Sequence, residues 1–365
     1  MEVTVFINRA TDTSIPLEVA SKIANGVGNV DVTVYSFFEP DETSFACDVR
    51  SLDATSQLDV NAYRRLFGML RKQQPDVFHV HPNATGSIAR ILATFTGVGS
   101  IITTEHSVHT EFGIARNLVN GSTNWLNDVL VCNSTVTEKS LSRWEETLLR
   151  ITGTETRVIY NGADLDVIEA TTGEREGLPD GFLIGTVGRL IPEKNQASII
   201  HAVSSLVDEG PDVHAVIVGG GPLRADLEAL AREEGVEDNV HFLGFIPREE
   251  VFKVLRSLDV FVFPSLYEGF GVAVAEAMAT GTPVVANDIE VLREVVGDAG
   301  HFVDATDSSE LTSAIKTLYG DDDTRLNAGR EAKQRIERTF TLEKTAESYS
   351  TLYQSTGMSA DLDTV

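Results

Sequence analysis

Short apolar runs recur along the chain, separated by segments of helical periodicity. In the first half they fall at 3–7 (VTVFI), 32–38 (VTVYSFF), 76–81 (DVFHVH), 100–106 (SIITTEH), 128–134 (DVLVCNS) and 156–162 (TRVIYNG). Runs of this length, alternating with helical patterns, predict βαβ units and a parallel sheet. Residues 58–73 and 133–150 carry apolar positions at helical spacing, and the second stretch opens on a Ser/Thr cap. From 163 to 181 the periodicity is lost while Gly, Asp, Glu and Thr gather, which places a domain boundary there. A second series follows, with strands expected within 181–190, 213–223, 239–246, 259–265 and 282–288, then a helical region over 308–353.

The pattern predicts an α/β chain of two Rossmann-like doubly wound domains. The expected boundaries are 1–165 for the first domain and 166–340 for the second. A helix over 341–357 is expected to cross back to the first domain, and 358–365 to form a flexible tail. Two such sheets facing each other would set their strand C-termini around a central cleft, where folds of this kind bind ligands.

Composition narrows the function. A chain of 365 residues is too long for one ordinary core. Its apolar runs are strand-length, so no transmembrane segment is expected, and the opening MEVTVFINRA lacks the pattern of a secretory signal, which points to the cytoplasm. A formal net charge of −26 argues against nucleic acid as a partner, because phosphate binding needs clustered cations. Only eight of the 29 basic residues are lysines. Self-repulsion among so many carboxylates is relieved where salt shortens the screening length to about 3 Å, at molar ionic strength. An acidic proteome in a salt-loving host is the expectation. Cys47 and Cys132 lack metal-ligand spacing and read as buried thiols.

Two stretches carry chemistry. In PSLYEGFGVAVAEAMATGTPVVA (264–286), Gly269 and Gly271 permit close backbone approach, and a helix from about Val272 presents its first N–H groups to an anion. Glu276 lies roughly two turns beyond Glu268 at about 3.6 residues per turn, on a helix otherwise made of small apolar residues. A carboxylate there has little structural purpose, but it can accept two hydroxyl protons, as on a ribose. In TVGRLIPEKNQ (186–196) a strand ends at Val187, Gly188 turns the chain, and Arg189 and Lys194 bracket a helix start at Pro192. Two cations at such a place make a diphosphate site without a metal. An arginine merely paired to a nearby carboxylate is the structural alternative.

Together with VGGGPL (218–223), VHFLGFIP (240–247) and the Glu268/Glu276 pair, this GRLxxxK segment resembles the retaining glycosyltransferases of the GT-B fold, group 1 or family four. VIYNGAD (158–164) is similar to that family's bridge between domains. The resemblance implies a hexosyl transfer, with retention, from a nucleotide-diphospho-sugar to a hydroxyl acceptor: a glycan, a lipid carrier or a small molecule. No cofactor is implied. Arg189 and Lys194 would hold the donor diphosphate, and Glu276 the ribose. Glu268 and the backbone of Gly269, Phe270 and Gly271 would contact the sugar, and Gly188 the phosphates. The backbone of Gly244, Phe245 and Ile246 would face the base. His106 would approach the transferred sugar, with His81 on the acceptor side. A noncatalytic nucleotide-sugar-binding subunit and a GT-B epimerase are the alternatives.

Some features depart from the family or leave alternatives open. The first strand runs into INRATDTSIP without the usual glycines, leaving Arg9 as a charged substitute on the acceptor side. A GxGxxG is also missing there, which weakens a dehydrogenase reading. His79 and His81 with His106 lack a carboxylate or cysteine to complete a zinc set, so no metal is expected. The helix over 61–74 sets Arg64, Arg65, Arg71 and Lys72 beside Leu66, Phe67, Met69 and Leu70. That pattern suits peripheral contact with an anionic membrane face, or a solvated helix packed on a sheet.

Overall fold

The structure is a computed structural model that describes residues 1–41, 45, 47–81, 84–108 and 120–360, with side chains to 357. The chain forms two compact units. One comprises Met1–Asn161 and Leu342–Val365, the other Gly162–Thr341.

The first unit is built on seven parallel strands: β1 (Glu2–Ile7), β2 (Asp31–Ser36), β3 (Asp48–Ser51), β4 (Val77–Val80), β5 (Ser100–Glu105), β6 (Val129–Cys132) and β7 (Glu155–Val158). Their order is β3-β2-β1-β4-β5-β6-β7, so the winding reverses between β1 and β4. Side chains along β1 alternate between two cores. Val3, Val5 and Ile7 face α1 (Ile15–Ala24), while Phe6 faces α2 (Val60–Gln73) and α3 (Ala84–Ala93). Leu66 and Leu70 of α2 are spent in that second core. Arg65 donates to the Leu52 and Asp53 carbonyls, leaving Arg64, Arg71 and Lys72 exposed with neither leucine beside them at the surface.

The expected single helix over 133–150 is two helices, α4 (Thr135–Lys139) and α5 (Arg143–Thr152). Each has its own start signal. Ser134 Oγ accepts from the Thr137 N–H at 3.0 Å, and Glu145 accepts from the Ser142 N–H at 3.0 Å. Cys132 is buried in β6, but Cys47 is only half-buried beside the edge strand β3, contrary to expectation.

The second unit holds six parallel strands: β8 (Phe182–Val187), β9 (Val213–Val218), β10 (Val240–Gly244), β11 (Val260–Phe263), β12 (Val284–Asn287) and β13 (His301–Val303), ordered β10-β9-β8-β11-β12-β13. Here the reversal lies between β8 and β11. The helices are α6 (Leu165–Ala170), α7 (Ala197–Asp208), α8 (Arg224–Glu233), α9 (Arg248–Ser257), α10 (Val272–Ala279), α11 (Glu290–Val296), α12 (Ser308–Tyr319) and α13 (Asp322–Thr339). The helix α6 forms inside the stretch expected to be irregular, capped by Asp164.

The last helix, α14 (Leu342–Ala360), belongs to the first unit. Its Leu342, Ala346, Tyr349, Leu352 and Tyr353 join the β1 and α1 core. It runs past the start of the expected tail at 358, and residues 361–365 lie outside the described residues.

Candidate functional site

In doubly wound sheets the point where strand order reverses opens a crevice at the strand C-termini. Each unit presents its candidate residues there. In the second unit, three loops leaving β8, β9 and β10 are joined through their backbones. Gly188 N donates to Val218 O at 3.0 Å, Leu190 N to Gly220 O at 3.0 Å, and Gly219 N to Gly244 O at 2.8 Å. This explains the glycine triplet. Gly219 takes φ +121, and a Cβ there would lie 2.0 Å from the Gly188 carbonyl oxygen. One on Gly221 would lie 2.4 Å from that of Leu190.

Arg189 is exposed, and among the described residues its guanidinium has no ion-pair partner. Lys194 points across to the loop after β11 and pairs with Glu268, both side chains under 20% exposed (19% and 13%). Its ammonium also lies 5.2 Å from the centre of the Phe263 ring. The expected helix start at Pro192 is corrected: Pro192–Lys194 is a single 3₁₀ turn, and the α-helix begins only at Ala197. Asn195 in the left-handed region (φ 50) separates the two, so the bracketing cations stand at a turn and not at an α-helical N-terminus.

Polar side chains that the sequence reading passed over hold these loops. Fully buried Ser265 bonds Glu268 Oε1 at 3.0 Å and the Glu193 carbonyl at 3.2 Å. Asn287 donates to Ser265 O and accepts from Ala305 N, while Asn195 donates to Ala305 O and Gln196 to Arg189 O. Ser265 and Asn287 lie at or just beyond a strand end, and Asn195 and Gln196 in the turn before α7, places where backbone carbonyls need partners.

Glu276 sits in α10, whose N-cap Gly271 is left-handed (φ 89) and lends no side-chain cap. The carboxylate is 9% exposed and its Oε1 accepts from Arg248 Nη2 at 2.7 Å. Burial raises its pKa, and Arg248 opposes that rise. Phe270 is buried against the Phe340 ring, centroids 5.5 Å apart, so only backbone at 269–271 remains to face a ligand. Phe245 is 84% exposed, and Gly244 and Ile246 flank it.

In the first unit, the loop after β1 carries Arg9, paired with Asp41 at 3.3 Å where both are half exposed. The usual glycines are not needed here, since no residue from Asn8 to Ser14 takes a positive φ. His81 follows β4 and His106 follows β5, with His81 Nδ1 to His106 Nε2 at 2.8 Å and the rings stacked at 5.1 Å. His79 bonds the Tyr353 hydroxyl at 2.7 Å through Nδ1 and Thr104 Oγ1 at 2.8 Å through Nε2, and Thr104 continues to Tyr349 at 2.9 Å. A small cavity is lined by these histidines, the two tyrosines and Asn161. Burial pushes His79 down to about 3 and His106 to about 4, and holds His81 well below its usual value, so all three are neutral at pH 7. No group of three His, Cys, Asp or Glu suited to a metal occurs among the described residues, and no described helix is long and apolar enough to cross a membrane.

The chain is 30% identical over 306 residues to a D-inositol 3-phosphate glycosyltransferase of Corynebacterium jeikeium, covering 76% of this chain and 72% of that protein. It belongs to the group 1 glycosyltransferases. Residues 171–335 match the family described as Glycosyl transferases group 1, and residues 24–167 match Glycosyltransferase Family 4. A phosphatidyl-myo-inositol mannosyltransferase of Mycolicibacterium smegmatis is 31% identical over 72% of this glycosyltransferase chain and 67% of its own length. Against several other curated relatives the matched region spans about half of their length. The sucrose-phosphate synthase of Thermosynechococcus elongatus superposes with a TM-score of 0.81 over 97% of this chain and 98% of that one. At 20% identity it speaks for the shared GT-B fold alone.

Proposed function

We propose that this protein transfers a sugar from a nucleoside-diphospho-sugar to a hydroxyl acceptor with retention at the anomeric carbon. The observation that carries the reading is the β8/β11 edge of the second unit. Arg189, Lys194 and Glu268 stand on the loops leaving β8 and β11, which backbone and amide hydrogen bonds fix, and the buried carboxylate of Glu276 follows on α10. Arg189 and Lys194 neutralise charge on the departing diphosphate, with Lys194 exchanging Glu268 for a phosphate oxygen. Glu276 accepts the ribose hydroxyls. In the bond change, the anomeric carbon loses its phosphate oxygen and gains the acceptor oxygen on the same face, and the acceptor proton passes to the leaving phosphate.

His106, neutral and hydrogen-bonded, would offer polarity to the sugar without a positive charge. The acceptor class is a hydroxyl compound, either a free polyol or a lipid-linked one, because relatives named for inositol phosphate and phosphatidylinositol align with most of the chain. The net charge of −26 supports working conditions of high salt.

The test is incubation with a panel of nucleotide sugars, with and without polyols and cell lipid extract, in dilute and molar salt. Nucleoside diphosphate release with an α-linked product from an α-linked donor supports the reading. Binding without turnover under every condition would replace it with a noncatalytic nucleotide-sugar-binding role, and epimerised sugar with an epimerase.

A further inference from the structure

Glu276 raises a physical problem: a carboxylate withdrawn from water tends to take up a proton, and a protonated acid accepts hydroxyl hydrogens poorly. The only ion-pair partner described for it is Arg248, the first residue of α9, which directly follows the 244–247 loop. That guanidinium is itself only 19% exposed and lies 5.3 Å from the centre of the Phe252 ring, so its direction is set by packing. It occupies Oε1, while Oε2 has no partner among the described residues. The other charge acting on the carboxylate is Asp164 at the start of α6, which disfavours the anion; none on α11, α13, β11 or β12 does so among the described residues.

We propose that Arg248 is a positioning residue that holds Glu276 as an anion in one rotamer, with Oε2 presented to the vicinal diol of the donor's pentose. The proposal rests on the assignment of Glu276 to the ribose.

The experiment is calorimetric binding of UDP, GDP and ADP, and of their 2′,3′-dideoxy counterparts, between pH 5 and 8. The proteins are the parent, Arg248→Gln, Arg248→Lys and Glu276→Gln, with circular dichroism as the check on folding. The expected result for Arg248→Gln is about tenfold weaker binding of the preferred nucleotide, the scale of one charged hydrogen bond. Its acid-side loss of affinity should move to higher pH, with most of both effects restored by Arg248→Lys and no change for the dideoxy ligand. Parental affinity and pH profile in Arg248→Gln, with Glu276→Gln impaired, would overturn the proposal but leave the ribose assignment standing. Parental binding by Glu276→Gln would remove that assignment as well. Equal weakening of the dideoxy ligand would mean that Arg248 touches the nucleotide itself, and would also overturn the positioning role. Should Arg248→Gln fail to fold, Arg248→Lys carries the test: a parental pH profile combined with lost affinity would refute it.

Discussion

The C-terminal edges of the two sheets share a strand order and a point of reversal, yet they solve the burial of polar groups in opposite ways. Around β4 and β5 the buried groups are imidazoles and hydroxyls, linked as Tyr353–His79–Thr104–Tyr349 and His81–His106. A histidine avoids the cost of a buried charge by giving up its proton, so this edge stores polarity without charge. Around β8 and β11 the groups are Lys194–Glu268 and Arg248–Glu276, each side chain set against one of opposite sign. The first arrangement holds polar groups in a hydrogen-bonded chain; the second holds them in ion pairs.

Acid should separate the two edges most strongly. Unfolded histidines take up protons below about 6.5, whereas His79 and His106 in the folded unit resist until about 3 and about 4. Their pKa values are depressed, so stability is lost as pH falls through 6.5, by about 2 kcal/mol for each between pH 7 and pH 5. Both tryptophans, Trp125 and Trp144, lie in the first unit, so a denaturant titration followed by their fluorescence reads that unit alone. An unchanged midpoint at pH 5 would contradict the neutral cluster. Glu276 works in the opposite sense: its raised pKa costs stability above that value and relaxes as pH falls.

Next in size is Glu276→Gln. Losing charged hydrogen bonds to the ribose should cut donor kcat/KM roughly 10²- to 10³-fold, with some fall in melting temperature because Arg248 loses its anionic partner. An unchanged donor kcat/KM would take Glu276 off the ribose. Tyr353→Phe should cost about 1–3 kcal/mol by leaving His79 Nδ1 without its partner, and nucleoside diphosphate affinity should not move. If it does, the cluster is not confined to the first unit's own stability. The smallest effect is on Glu268→Gln, which frees Lys194: diphosphate should bind about two- to fivefold tighter, the scale of a partly exposed ion pair, while transfer slows. Equal affinity would take Lys194 off the diphosphate.

The sequence made the central strands legible because β1, β4 to β6, β8, β9, β11 and β12 are largely buried on both faces and rich in Val, Ile, Leu and Phe. The strands β3 and β13 escaped notice: as edges they are partly exposed, and DVRS and HFV carry no such run. Glu268, Glu276, Arg189 and Lys194 stood out as charges in apolar or glycine-rich surroundings. Arg248 did not, although it starts a helix after a strand-end loop just as Arg189 leaves one. The neutral histidine chain was beyond reach, because its anchor Tyr353 is 274 residues from His79 and no local pattern links them.

The placement of α14 has a consequence for biosynthesis. Five of its side chains are required by the core of the sheet that leaves the ribosome first, but they are made after the whole second unit. The second unit can therefore close while translation continues, whereas the first must wait, its apolar flank open, until α14 has been made. Nascent chains stalled near residue 341 should expose that flank to chaperones, and release of a further twenty residues should hide it.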